Sequence, residues 1–188
     1  MKRTETLPEN YELIHTIDLE KNKSLFIFIQ VFSLLLAVGT FCIGLTMQSI
    51  TSIFDYGLIQ WLLCAGLSIL YLIAHEMVHG IAMKIVGTKK VRYGFVGAYA
   101  YAGGDDYYAR GPYIFIALAP VVLYTVIFTV LGFVVPAQWF WIVWLLQITN
   151  IAGAAGDIYV TWKCLRLPKD ILTKDVGTSM QIFAPSSK

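Results

Sequence analysis

Apolar and polar positions alternate along this chain on two scales. On the longer scale there are four apolar runs joined by short polar breaks. Residues 25–47 form 23 positions without a charge. Leu58–Val86 is 29 residues long, and its second half contains His75, Glu76, His79 and Lys84. Residues 113–135 are again 23 uncharged positions with Pro120 inside, and residues 139–165 are 27 positions with Asp157 near the end. At about 1.5 Å rise per residue, each run makes a helix long enough to cross a hydrocarbon core of about 30 Å. The pattern therefore predicts four transmembrane helices, with no internal repeat and no low-complexity tract.

On the shorter scale, Tyr11, Leu13, His15, Ile17 and Leu19 alternate with mostly polar neighbours, the period-two signal of a strand. Residues 91–101 are rich in Tyr, Phe and Val, broken by Gly94 and Gly97. Gly103-Gly104-Asp105-Asp106 marks a tight turn, as does Asp175-Val176-Gly177 ahead of a short apolar stretch at 180–183. The expected fold is an all-α membrane protein: four transmembrane helices with a small cytoplasmic β element. It divides into an N-terminal segment (1–24), a four-span domain (25–165) and a tail (166–188).

Composition strengthens this picture. Of 188 residues, 57% are apolar and 14% charged, and the mean hydropathy is +0.67. A soluble domain runs about 45–50% apolar and about 25% charged. Disorder, a collagen-like fibre and a basic-faced nucleic-acid binder are excluded, so no nucleic-acid partner is expected. The net charge of +2 decides nothing as a sum; the placement of the charges decides a great deal. All 14 Lys and Arg lie before the first run, at or between the second and third, or at the end of the fourth and beyond. The loops 48–57 and 136–138 have none. By the positive-inside rule both termini and the 87–112 loop are cytoplasmic, as in a multi-pass protein of the cell membrane. Cys42, Cys64 and Cys164 stand singly in apolar stretches and form no disulfide framework. The polar first 24 residues lack a signal peptide, and the first run is too long for a signal core, so it reads as an uncleaved anchor.

Ionisable groups within a bilayer cost about 2.5–3.5 kcal/mol each at the helix centre, so His75, Glu76, His79 and Asp157 require a reason. His75-Glu76-Met77-Val78-His79 fits H-E-x-x-H. Histidines four apart share a helix face and can reach one zinc ion, while Glu76 sits about 100° around the helix, placed as a general base. A catalytic zinc has three protein ligands and an open position. No His follows His79 and no Glu follows Glu76, so the third ligand comes from Asp105, Asp106, Asp157, Cys164, Asp170 or Asp175. Depth favours Asp157. His79 and His75 lie about 10 and 16 Å from the cytoplasmic end of their run, and Asp157 about 12 Å from the end of its own. Asn150 is seven residues before Asp157 on the same helical face, placed either to orient substrate or to bridge helices. Gly153-Ala154-Ala155-Gly156 is a small-residue patch that lets helix backbones approach closely.

The H75-E-M-V-H79 helix, Pro120, and Asn150 with Gly156-Asp157 resemble the site-2 protease class of intramembrane zinc metalloproteases. The chain is still more similar to a zincin-peptidase family of small bacterial four-span proteins. The opening strand, the Ile116-Ala-Leu-Ala-Pro120 stretch and the Leu167-Pro168…Asp175-Val-Gly177 tail add to that likeness, which covers nearly the whole chain. The resemblance implies a bacterial membrane enzyme with zinc held by His75, His79 and Asp157. Glu76 is then the base, and the substrates are peptides or membrane proteins cut at membrane depth. One departure stands out: no proline lies between Asn150 and Asp157, where site-2 proteases have a proline-rich stretch.

The reaction expected is hydrolysis by a zinc-activated water, with Glu76 taking its proton. It requires a polar cavity open to the cytoplasm. Residues 91–101 serve either as a strand to which substrate adds or as an interfacial aromatic anchor. Two rival readings use the same residues: a non-catalytic zinc-binding membrane protein, structural or sensing, and a small transporter with an ion relay.

Overall fold

In this computed structural model the described residues are 3–96, 99–176 and 179–186. Their elements run β1 (Arg3–Thr4), β2 (Tyr11–Asp18), α1 (Lys23–Met47), α2 (Leu58–Val86), β3 (Arg92–Val96), β4 (Tyr99–Gly103), β5 (Tyr107–Ala109), α3 (Arg110–Val134), α4 (Phe140–Gly153), α5 (Ala155–Arg166), β6 (Leu172–Asp175) and β7 (Ser179–Pro185). Four helical stretches are long and apolar enough to cross a membrane: Lys23–Met47, Leu58–Val86, Arg110–Val134 and Ala137–Arg166. They coincide with the four apolar runs to within three residues at each end.

Local chemistry sets the helix ends. The Asn22 side chain accepts from the Leu25 N–H at 3.0 Å, capping the start of α1. α2 stops at Gly87, whose φ of 112° is open to glycine and strained for other residues. There the Gly87 N–H bonds the Lys84 carbonyl at 3.0 Å and the Thr88 N–H bonds the Met83 carbonyl at 3.0 Å, the two bonds of a Schellman motif.

The fourth apolar run, expected as one helix, is two. Ala154 (φ −79°, ψ 9°) separates α4 from α5. The Ser33 hydroxyl donates to the Ala152 carbonyl at 2.8 Å, and a side chain entering the carbonyl ladder is one of the few causes of a sharp helix break. Asp157 consequently falls in the first turn of α5, where backbone N–H groups favour an anionic side chain. The small-residue patch behaves differently at its alanines and its glycines. Ala154 and Ala155 are buried, but a Cβ added at Gly153 or Gly156 would meet nothing within 4 Å. Close approach occurs elsewhere, at Gly44 and Gly80.

The chain divides into two compact units. One comprises Met1–Ile27, Glu76–Ala119 and Asp157–Lys188, and the other Phe28–His75 and Pro120–Gly156. The first contains a five-stranded sheet of order β1-β5-β6-β7-β2, antiparallel at every pairing. β2 pairs with β7 from Tyr11↔Pro185 to Asp18↔Ser179, with an irregularity between Leu13 and His15. Ile17, Met180, Ile182 and Tyr108 from the sheet pack with Ala82 and Met83 of α2, Tyr113 and Ile116 of α3 and Cys164 of α5. One apolar core thereby fixes the helix ends that carry His79, Ile116 and Asp157. The β part is larger than expected because β1, β5 and β6 are two to four residues long, too short to carry a periodic signal. β3 and β4 pair from Arg92↔Gly103 to Val96↔Tyr99 as a separate hairpin. The break expected at Gly97 and the turn at Gly177 lie outside the described residues.

The second unit is helical. Tyr71, Phe128 and Leu146 form one buried aromatic-aliphatic cluster, and Phe140, Trp141 and Trp144 another. The indole N–H groups are satisfied by carbonyls: Trp144 donates to Thr40 and Trp141 to Ser49, each at 2.9 Å.

Candidate metal centre

The C-terminal half of α2 presents the H-E-x-x-H residues. His79 Nε2 lies 3.7 Å from Asp157 Oδ2, with the two side chains 12% and 25% exposed. On its other side, His79 Nδ1 is 2.9 Å from the Ile116 carbonyl oxygen. A carbonyl can only accept, so Nδ1 carries a hydrogen, and in the neutral ring the lone pair belongs to Nε2. The chain itself explains why this carbonyl has capacity to spare. Within a helix the Ile116 oxygen would accept from the N–H four residues on, and that residue is Pro120, which has none. The proline opens a carbonyl that the histidine occupies.

His75 is one turn earlier on the same unbroken helix and is buried. Its Nδ1 is 2.8 Å from the Tyr71 hydroxyl. That hydroxyl donates to Asn150 Oδ1 at 3.0 Å. The Asn150 amide nitrogen in turn donates to Thr125 Oγ1 at 3.0 Å and to the Val121 carbonyl at 3.3 Å. Asn150 is wholly buried; it bridges helices and meets His75 at one remove, through Tyr71.

One ligand atom from each of His75, His79 and Asp157 lies within 4.8 Å of the others, the only such His/Cys/Asp/Glu group among the described residues. Two imidazoles and a carboxylate so grouped suit a zinc-sized ion with nitrogen and oxygen ligands. Glu76 follows His75 directly and is half-buried. The other acids and the thiol considered from the sequence are elsewhere. Asp105 pairs with Arg92, and Asp106 accepts from Arg3 at 2.6 Å, which raises the guanidinium pKa. Asp170 is exposed, Asp175 accepts from the Tyr113 hydroxyl at 2.8 Å, and Cys164 is buried in the core of the first unit.

Sequence reasoning missed three features of this region. Tyr71 has a retrospective signal, since Tyr71, His75 and His79 recur every four residues and so share one face of α2. The Ile116 carbonyl was legible through Pro120, four positions later. The third is the contact of β3 with α2, where a Cβ at Gly80 would overlap the Tyr93 hydroxyl. Nothing in the sequence pairs those two residues.

No curated protein and no solved structure matches the chain. A family model matches residues 68–172, more than half of the 188 residues and the whole stretch from Tyr71 to Asp157. The chain belongs to the family described as "Putative zincin peptidase".

Proposed function

We propose that this chain is an integral membrane zinc metallopeptidase that hydrolyses peptide bonds of membrane or membrane-proximal substrates. The observation that carries the reading is the grouping of His75, His79 and Asp157 within 4.8 Å, with each histidine Nδ1 engaged by a protein partner. These residues would hold the ion with the three protein ligands of a catalytic site, and the ion, when bound, supplies a Lewis acid that acidifies water and polarises a carbonyl. Glu76 accepts the proton of the attacking water and returns it to the amide nitrogen as the C–N bond breaks. The products are a carboxylic acid and an amine. Asp157 at 25% exposure and a half-buried Glu76 are not sealed inside the protein.

Hydrocarbon is the solvent that fits the helices. Leu34 at 63%, Ile59 at 77% and Val126 at 58% exposure lie on three different spans, and soluble proteins rarely leave large contiguous apolar surfaces uncovered. With the Lys and Arg distribution, this supports a multi-pass protein of the cell membrane with both termini in the cytoplasm. The β3–β4 hairpin, paired only with itself among the described residues, offers an edge to which an extended peptide adds as a strand.

Purified protein should contain about one zinc per chain, as a single three-ligand site predicts. Glu76→Gln should keep that zinc and abolish cleavage of a co-expressed membrane substrate. Cleavage surviving in Glu76→Gln overturns the mechanism, and metal-free protein from chelator-free preparations overturns the site. Retained zinc with no cleavage by the wild type favours the non-catalytic zinc-binding reading.

A further inference from the structure

The hydrogen bonds that join Asn150, Tyr71 and His75 set which atom donates in each. The Val121 carbonyl can only accept, so the Asn150 atom facing it at 3.3 Å is the amide nitrogen. The amide oxygen then faces Tyr71, 3.0 Å away. A phenol has one hydrogen, and this oxygen takes it. The Tyr71 oxygen is therefore an acceptor toward His75, whose Nδ1 at 2.8 Å must be the donor. With the hydrogen on Nδ1, the neutral imidazole carries its lone pair on Nε2.

We infer that Tyr71 is a positioning residue of the metal centre: backed by Asn150, it holds His75 in the Nδ1–H tautomer and so makes Nε2 the ligand atom. This rests on the zinc site proposed above and adds to it a residue outside H-E-x-x-H. His75 is buried, so no bulk water substitutes for a lost acceptor. Without the phenol oxygen, the Nδ1–H tautomer would lose this acceptor in a buried setting, which disfavours it. The alternative tautomer escapes that loss by moving the hydrogen to Nε2, where it blocks the ligand position. Outer partners of metal-bound histidines typically affect metal affinity by about 10- to 100-fold. Asn150 acts one step further out. Its own position is set by Thr125 and Val121, and by taking the phenol hydrogen it keeps that hydrogen from pointing at His75.

The ring of Tyr71 has a separate, structural task. Its centroid is 5.2 Å from Tyr124 and 5.6 Å from Phe128. Tyr71→Phe preserves this packing and deletes only the hydroxyl, which separates positioning from folding.

The test is zinc affinity of the full-length protein in detergent, measured by chelator competition, for the wild type, Tyr71→Phe, Asn150→Ala and the double variant. The proposal expects Tyr71→Phe to weaken binding about 10- to 100-fold and Asn150→Ala to weaken it too. The double variant should be no weaker than Tyr71→Phe, because without the phenol Asn150 has nothing to direct. Should Asn150→Ala not fold, side-chain 15N shifts of His75 in metal-free protein decide the matter. The wild type should report Nδ1–H, and Tyr71→Phe should gain the Nε2–H form. Wild-type zinc affinity in Tyr71→Phe overturns the proposal, as do losses that multiply in the double variant or a wild-type His75 protonated on Nε2. A wild type that binds no zinc overturns the zinc site itself.

Discussion

Replacing Pro120 by alanine should move stability and zinc affinity independently. In the wild type the Ile116 carbonyl meets His79 Nδ1 at 2.9 Å, and Pro120 supplies no competing N–H. Alanine restores that N–H at the helical i→i−4 position, so the carbonyl is shared and the histidine bond weakens. A neutral hydrogen bond is worth about 1 kcal/mol net, and losing half to all of it weakens zinc binding about 2- to 5-fold. Stability responds differently. Proline in a helix interior costs about 3 kcal/mol relative to alanine, less in a membrane helix where other groups satisfy the opened carbonyl. Against this gain, Pro120 is fully buried, and deleting two ring methylenes costs about 1.6 kcal/mol by transfer, plus a cavity contribution. The metal-free variant should therefore melt within about 2 kcal/mol of wild type while binding zinc more weakly. Chelator competition reads the affinity, and thermal unfolding in detergent without metal reads the stability. Unchanged or tighter zinc binding in a folded Pro120→Ala protein would refute the argument that the proline holds open the carbonyl for His79.

Two further substitutions probe the scaffold. Gly44→Ala places a Cβ into the Trp144 indole, whose N–H bonds Thr40; a loss of about 1–3 kcal/mol is expected by thermal unfolding. Gly39→Ala on the same helix meets nothing within 4 Å and should be neutral or stabilising by up to about 1 kcal/mol. Asp106→Asn removes the counterion of Arg3, in a pair whose side chains are 14% and 11% exposed. It should cost about 1–3 kcal/mol, a buried-pair penalty reduced for the remaining solvent. Asp105→Asn breaks an ion pair that is 68% and 65% exposed and should change the unfolding free energy by less than about 1 kcal/mol. Equal losses for the two aspartates would show that burial is not the deciding factor.

Legibility followed the range of each interaction. The long apolar helices and the strand β2 could be read because helix and strand periods are local properties of neighbouring residues. H-E-x-x-H was legible for the same reason, since four residues make one helical turn. Asp157 could be matched to His79 across 78 positions only because both sit in long helices, where the rise per residue converts sequence number into depth. Asn150 could be singled out as a polar residue within an apolar run, but its partners depend on how helices rotate about their own axes. Strands as short as β1 and β5 have no pattern of their own and exist through the strands beside them.

The sequence alone determined the number and approximate limits of the apolar runs, the sign of the charges at their ends, and the pair of histidines on one face of α2. These are one-dimensional facts, set by hydrophobic period and by the cost of charge in hydrocarbon. Only the tertiary structure decided which nitrogen of each histidine bears the hydrogen. That depends on hydrogen-bond acceptors far away in sequence: the carbonyl opened by Pro120 for His79, and a phenol held by Asn150 for His75. It also decided that the fourth run breaks at Ala154, because the break is associated with a serine on another helix. Directional bonds between side chains and backbone need atoms brought within about 3 Å, and packing alone supplies that.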